Sequence, residues 1–272
     1  MLIRSTSNPQ IKHIRELCQK RKARQAHREF CVEGVQAISE AYTHNWDVKQ
    51  LICCPSLVRT DRAQKTLAES DSRTHLQVAA HLLSRLSDRS DPELMAVVSQ
   101  AKDDLARIPI RADLLVIVVD RPQNPGNLGT IIRSADAMGA HGVLIMEPAV
   151  DLYAPKTVRA TMGSLFALPV LRIENFEICQ NWISRVRTAL VGAQVVSTSP
   201  RDSIPIDQYD LTLPTVFIIG NEQSGISHDF QGMCDAFAAI PMSGSAESLN
   251  SAVSASIALY EANRQRLARR TA

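Results

Sequence analysis

Three segments between residues 120 and 250 place polar and charged side chains, with turn residues, directly after expected strands. The first runs Asp120-Arg121-Pro122-Gln123-Asn124-Pro125-Gly126-Asn127 and continues into Leu128-Gly129-Thr130-Ile131-Ile132-Arg133. Pro122, Pro125 and Gly126 break the chain, Asn127 can cap the helix that follows, and Arg133 falls about one and two-thirds turns further in. In the second, Val216-Phe217-Ile218-Ile219 meets Gly220-Asn221-Glu222-Gln223-Ser224-Gly225. Gly220 permits close approach of a ligand to the backbone, and Glu222 is placed to accept or orient a polar group. The third, Ile240-Pro241-Met242-Ser243-Gly244-Ser245-Ala246-Glu247-Ser248-Leu249-Asn250, opens the last helix, where free amides can hold an anionic group. Taken singly, each has an ordinary explanation: Arg133 in a surface ion pair, Glu222 in a solvated turn, Ser248 and Asn250 as helix caps. None of the three is a G-x-G-x-x-G or a G-x-x-x-x-G-K-[ST] loop, so the common phosphate cradles are missing.

The elements that must position these residues alternate. Strands are expected at 114–119, 142–145, 168–171, 194–196, 215–219 and 238–240, with helices at 128–138, 174–186 and 249–267. Such alternation predicts a mainly parallel sheet covered on both faces, with ligands outside the carboxyl ends of its strands. Upstream, short β-like runs at 30–33, 48–54, 74–78 and 95–99 alternate with helices at 35–42, 62–69 and 80–86, which predicts a smaller α/β unit. The charged, aperiodic stretch Ala101–Asp113 reads as the boundary, giving domains of 1–105 and 106–272.

Composition narrows the class. The 272 residues are 45% hydrophobic, enough for a core without disulfide or metal staples. The aliphatic runs fall far short of the ~20 residues of a membrane span, and no apolar leader follows Met1, so a cytoplasmic protein is expected. The six cysteines lack the spacing of a zinc site and read as buried thiols, and no metal is expected. With 30 Lys+Arg against 28 Asp+Glu, net charge predicts no polyanion partner. The distribution does: Arg4, Lys12, Arg15, Lys20, Arg21, Lys22, Arg24 and Arg28 face only Glu16 and Glu29. Asn8-Pro9 starts a helix there with Ile11, Ile14 and Leu17 on its packed side, leaving a cationic face that is either solvated or phosphate-contacting. Arg264, Arg266, Arg269 and Arg270 near the C-terminus read as complements to a helix dipole.

Together and in this order, NPGNLGTIIRSADAMGA at 124–140, FIIGNEQSGIS at 217–227 and IPMSGSAESLNSAVSASIALYE at 240–261 resemble motifs one to three of the SpoU (TrmH-like) RNA ribose 2′-O-methyltransferases of the SPOUT class. The resemblance implies an α/β fold whose C-terminal parallel-sheet domain is threaded into a trefoil knot, and an N-terminal substrate-binding domain. It also implies S-adenosylmethionine as methyl donor and a homodimer. Carried over residue by residue, it makes Arg133, Asn127, Glu222, Ser248 and Asn250 catalytic and Gly220, Ile240 and Leu249 donor-binding, with Thr198 a further donor-site candidate. Asn221 stands where small residues are also common in the family. The stretch 154–164 resembles the family's segment between motifs one and two, which places Lys156 and Arg159 against RNA, together with Lys20, Arg21 and Lys22 of the basic helix. An RNA substrate, ribosomal in preference to transfer RNA, follows by family analogy. A non-catalytic RNA-binding scaffold would be expected to have lost Arg133, Glu222 or Asn250, and all three are present. A nucleotide-dependent metabolite enzyme fits poorly with the basic N-terminal helix and the missing nucleotide fingerprints.

Overall fold

Asn8 and Pro9 open the first helix as a cap and first-turn pair, the Asn8 side chain accepting from the Gln10 amide at 2.9 Å. The computed structural model describes residues 2–198 and 203–271, with side chains described as far as Arg269. In chain order the elements begin α1 (Pro9–Gln19), α2 (Arg21–His27), β1 (Glu29–Glu33), α3 (Val35–Thr43) and β2 (Val48–Cys53). Next come α4 (Asp61–Glu69), β3 (His75–Gln77), α5 (Ala80–Leu86), β4 (Leu94–Ser99), β5 (Leu115–Asp120), α6 (Pro125–Ala137) and β6 (Gly142–Met146). The chain ends with α7 (Pro155–Ala160), α8 (Ser164–Ala167), β7 (Val170–Ile173), α9 (Phe176–Ala189), β8 (Gln194–Thr198), β9 (Ile204–Pro205), β10 (Thr215–Ile219), α10 (His228–Gln231), β11 (Ala236–Ala239) and α11 (Ser251–Thr271).

These divide into two compact units, Met1–Ala101 with Asp151–Ala167, and Lys102–Val150 with Leu168–Ala272. The first holds a four-stranded sheet in the order β1-β4-β2-β3, antiparallel except for the β2/β3 pair. Ile11, Ile14 and Leu17 of α1 are fully buried in its core with Ile52, Leu83 and Met95. The expected single basic helix is two: Lys20 is extended and ends α1. Arg24 is not part of a cationic face. It is 5% exposed, its Nη1 donates to the Leu17 and Cys18 carbonyls at 2.6 and 3.3 Å, and its Nε and Nη2 hold Asp151 Oδ2 at 2.8 and 2.6 Å. The guanidinium thereby closes the carbonyl end of α1.

Asp151 belongs to the excursion 151–167, which the expected division at residue 105 assigns to the C-terminal domain but which packs with the first unit. The reason is aromatic. Tyr153 lies 4.6 Å and Phe166 6.3 Å from the Phe30 ring, Trp46 stands edge-on to Phe166 at 5.1 Å, and the Trp46 Nε1–H donates to the Phe166 carbonyl.

The second unit is a seven-stranded sheet in the order β7-β6-β5-β10-β8-β11-β9, with every pairing parallel. Val116, Val118 and Ile218 pack with Trp182 and Ile183 of α9, and the alternating Ile117, Val119 and Phe217 are equally buried, as a sheet covered on both faces requires. Two late strands enter between earlier ones: β10 lies between β5 and β8, and β11 between β8 and β9. Helices α6 and α11 run parallel, Asn127 meeting Asn250, Ser134 bonding Ser256 at 2.7 Å, and Asn263 reaching Met138. Arg266 does more than complement a dipole: its guanidinium donates to the carbonyls of Asp113, Leu114, Leu211 and Leu213. The Arg270 side chain lies outside the described residues. Of the six cysteines, Cys31, Cys53, Cys54 and Cys179 are buried, whereas Cys18 and Cys234 are only half-buried. Among the described residues no helix is long and apolar enough to cross a membrane, and no His, Cys, Asp and Glu group could hold a metal ion.

Because Arg24 is buried against its carboxylate, Asp151→Ala should destabilise the first unit by about 3–5 kcal/mol. Urea unfolding followed by Trp46 fluorescence in a Trp182→Phe background checks this, and an unchanged midpoint would make the pair dispensable.

Candidate active site

The carboxyl ends of β8, β10 and β11 frame a cavity of about 290 Å³ in the second unit. Each strand end contributes through the residue types that follow it: Thr198 closes β8, Gly220 to Gly225 turn away from β10, and Ile240 leads from β11 toward α11. Thr198, Gly220, Ile240 and Leu249, the four expected donor-site residues, all line this cavity, as do Glu222 and Ser248. Ile219 and Met242 add apolar wall and Asn221 adds polar wall, as do Ser251 and Ser254, which carry no motif signal in the sequence.

Beside the cavity, side chains from all three motifs meet. Asn127 Nδ2 donates to Glu222 Oε1 at 2.7 Å and more weakly to Ser251 Oγ at 3.4 Å. Asn250 Nδ2 donates to Asn127 Oδ1 at 3.1 Å, and the Ser251 hydroxyl donates to Glu222 Oε1 at 3.1 Å. Asn127 does not cap its helix. Asn124 does, accepting from the Gly126 and Asn127 amides at 2.8 and 3.1 Å, which leaves the Asn127 side chain available to Glu222. The Asn124-Pro125 pair carries that signal in the sequence. Asn250 caps α11 through Oδ1 while its Nδ2 serves the network. Glu222 therefore sits between the first turns of two parallel helices. Burial works against its charged form, but hydrogen bonds from Asn127, Ser251 and the backbone of Glu222 and Gln123 outweigh it and hold the carboxyl below its ordinary range.

The loop that carries Glu222 is fixed at both ends. Asn221 and Gly225 exchange backbone hydrogen bonds at 2.9 and 3.0 Å, and Asn221 Oδ1 accepts the Gln223 amide at 2.9 Å. Asn221 Nδ2 donates to the Arg121 carbonyl at 2.7 Å, and the Ser227 amide donates to buried Asp120 at 2.7 Å, so motif two is tied to the end of β5. Gly220 is demanded first by this loop itself: a Cβ there would stand 2.5 Å from the Gly225 carbonyl carbon and 2.7 Å from the Ile226 nitrogen.

Arg133 lies outside the cavity lining, exposed on α6 in one stripe with Gly126, Thr130 and Ala137. In the first unit, Lys20, Arg21, Lys22 and Lys156 are exposed and Arg159 is half-buried. Lys20 pairs with Glu16 at 2.8 Å and Arg159 approaches Asp88 at 3.9 Å.

Residues 114–260 match the SpoU rRNA Methylase family, and residues 8–96 match the MRM3-like substrate binding domain. Over 270 residues the chain is 39% identical to the 23S rRNA (uridine(2479)-2′-O)-methyltransferase of Streptomyces viridochromogenes, covering 98% of this chain and 94% of that protein. The chain belongs to the SpoU rRNA methylase family. A second relative, the 23S rRNA (guanosine(2553)-2′-O)-methyltransferase RlmP of Bacillus subtilis, is 28% identical over 261 residues, 95% of this chain and 97% of that one. The crystal structure of the SpoU methyltransferase AviRb from Streptomyces viridochromogenes in complex with the cofactor AdoMet superposes with a TM-score of 0.89 at 39% identity, covering 96% of this chain and 98% of that one.

A SpoU methylase takes S-adenosylmethionine, and the donor set here suits it. Ile219, Ile240, Met242 and Leu249 offer apolar surface for an adenine, and an ionised Glu222 beside them complements a sulfonium cation. The cavity is close to the lower end of small-molecule sites, roughly 300–1,000 Å³.

Gly220→Ala must displace the Gly225–Ile226 backbone and with it a wall of the cavity. S-adenosylmethionine affinity should fall by about tenfold or more, given that under-3 Å backbone overlap forces a shift. Titration calorimetry on the folded variant checks this, and unchanged affinity would show the loop to be pliable.

Proposed function

We propose that this SpoU family member transfers the methyl group of S-adenosylmethionine to a ribose 2′-hydroxyl of ribosomal RNA in the cytoplasm. The observation that carries the reading is the convergence of Asn127, Glu222 and Asn250, one from each motif, beside a cavity lined by Thr198, Gly220, Ile240 and Leu249. The ribosomal substrate is supported by the 23S rRNA activities named for two relatives that align over nearly the whole chain.

S-adenosylmethionine supplies an electrophilic methyl carried on a sulfonium sulfur. The protein must hold the acceptor oxygen in line with it and deal with one proton. In this reading Gly220, Ile240, Leu249 and Thr198 hold the donor, while the Asn127–Glu222–Asn250 network fixes the floor against which donor and ribose meet, and Ser248 contributes from the same wall. Arg133 addresses the acceptor. A guanidinium with a pKa above about 12 is a poor proton acceptor, so Arg133 orients the ribose or holds an RNA phosphate that takes part in removing the proton.

The first unit captures the RNA. Lys20, Arg21 and Lys22, with Lys156 and Arg159 of the excursion, serve as phosphate contacts, and recognition is by the shape of a folded RNA. Two further features belong to this reading. Val253, Tyr260 and Leu267, exposed by 45%, 56% and 50%, recur every seven residues as one apolar stripe on α11, and a second copy of the chain covers it. The late entry of β10 and β11 into the sheet supports a C-terminal segment threaded into a trefoil knot.

Arg133→Ala should lower tritiated methyl transfer to 23S rRNA by about a hundredfold or more while S-adenosylmethionine affinity stays unchanged. Nuclease digestion should return a ribose-methylated nucleoside; a base-methylated product, or equal loss of donor binding, would overturn the assignment. Tyr260→Glu, with Val253→Glu, should convert a dimer to a monomer in sedimentation velocity, and a wild-type monomer would remove the second copy from the reading.

A further inference from the structure

The motif assignments account for Asn127, Glu222 and Asn250 but leave Ser251 without a role, although its side chain touches two of the three. Its hydroxyl stands between unlike neighbours: Glu222 Oε1, an acceptor at 3.1 Å, and Asn127 Nδ2, a donor at 3.4 Å. Only a group that donates and accepts at once satisfies both, and a hydroxyl is the smallest side chain that does. The hydroxyl is not needed to start α11. Asn250 Oδ1 takes the Ala252 and Val253 amides at 2.9 and 3.4 Å, and the Asn250 carbonyl takes the Ser254 amide. Its bonds to Glu222 and Asn127 therefore point into the site, and Ser251 lines the donor cavity.

We propose that Ser251 is a positioning residue for methyl transfer, its hydroxyl locking the Glu222 carboxylate and the Asn127 amide into one mutual orientation at the edge of the donor cavity. The inference rests on the function proposed above. It follows from the geometry that Glu222 Oε1 receives two donors, one from the first turn of α6 and one from the first residue of α11. Without the Ser251 donor the carboxylate is held by α6 and the neighbouring backbone, and it can turn about its last bond. The same loss weakens what keeps the carboxyl below its ordinary range, since Ser251 is one of the groups that lower it.

The test uses the full-length protein with Ser251→Ala and Ser251→Thr. The Glu222 side-chain carboxyl is followed by carbon-13 NMR against pH, and methyl transfer to 23S rRNA is measured alongside. Ser251→Ala should raise the Glu222 titration toward an ordinary glutamate and reduce kcat/KM by about tenfold, in line with loss of a hydrogen bond to a charged group. Ser251→Thr, which keeps the hydroxyl, should restore both. In a Glu222→Gln background, Ser251→Ala should add little, because the two act as one unit. A Glu222 titration unmoved by Ser251→Ala, or a threonine variant as impaired as the alanine one, would overturn the proposal. If the wild-type protein transfers no methyl group to any RNA while the Glu222 titration still responds as expected, the proposed function fails and takes the role in methyl transfer with it, leaving only the Ser251–Glu222 contact.

Discussion

A carboxylate held between the first turns of two parallel helices organises the second unit. Glu222 accepts from Asn127 on α6 and Ser251 on α11, and the partial positive ends of both helices face the same point. Helices packed side by side present their amino ends together when they run parallel, and the contacts Asn127–Asn250, Ser134–Ser256 and Met138–Asn263 show that they do. A parallel sheet puts the carboxyl ends of its strands on that side too, so three loops and two helix starts converge on one edge. The charge that a lone glutamate would lose to burial is retained because this arrangement supplies donors faster than it removes water.

The rest of the site follows from keeping that loop still. Gly220 has no room for a side chain because Gly225 and Ile226 close over it, and Asn221 spends both ends of its amide on the turn and on Arg121. Asp120, buried at the end of β5, takes the Ser227 amide and the Arg121 guanidinium, which fastens the far side of the loop. A short loop held at both ends and stripped of spare volume changes little in shape, and a cavity with fixed walls has less ordering to do when a ligand binds.

Most strands and helices of the second unit were legible from apolar periodicity, because fully buried parallel strands such as β5 and β10 read as unbroken aliphatic runs. The two-residue β9 has no period to read. Side-chain roles were legible only where type and neighbour agree. Asn127 passes for a cap until Asn124-Pro125 is recognised as the better one, and Ser251 passes for a helix-start serine until Asn250 is seen to do the capping. Arg24 misleads for a different reason: among so many basic residues it looks solvent-facing, and its partner Asp151 lies 127 positions away. Ion pairs of that sequence separation leave no local pattern.

That distant partner bears on how the first unit is built. Its core closes around Phe30 and Trp46 only when Tyr153 and Phe166 arrive from the excursion between β6 and β7. The chain therefore crosses between the units three times, at 101/102, 150/151 and 167/168, rather than through one linker. Phe30 and Trp46 would be left partly uncovered in a fragment ending near residue 101, and Arg24 would be buried without its carboxylate, a cost that neither surface charge nor helix propensity offsets. An excursion that supplies both the aromatic half of a core and the counter-ion for its buried arginine makes the folding of the first unit depend on a segment that lies, in sequence, between two parts of the second.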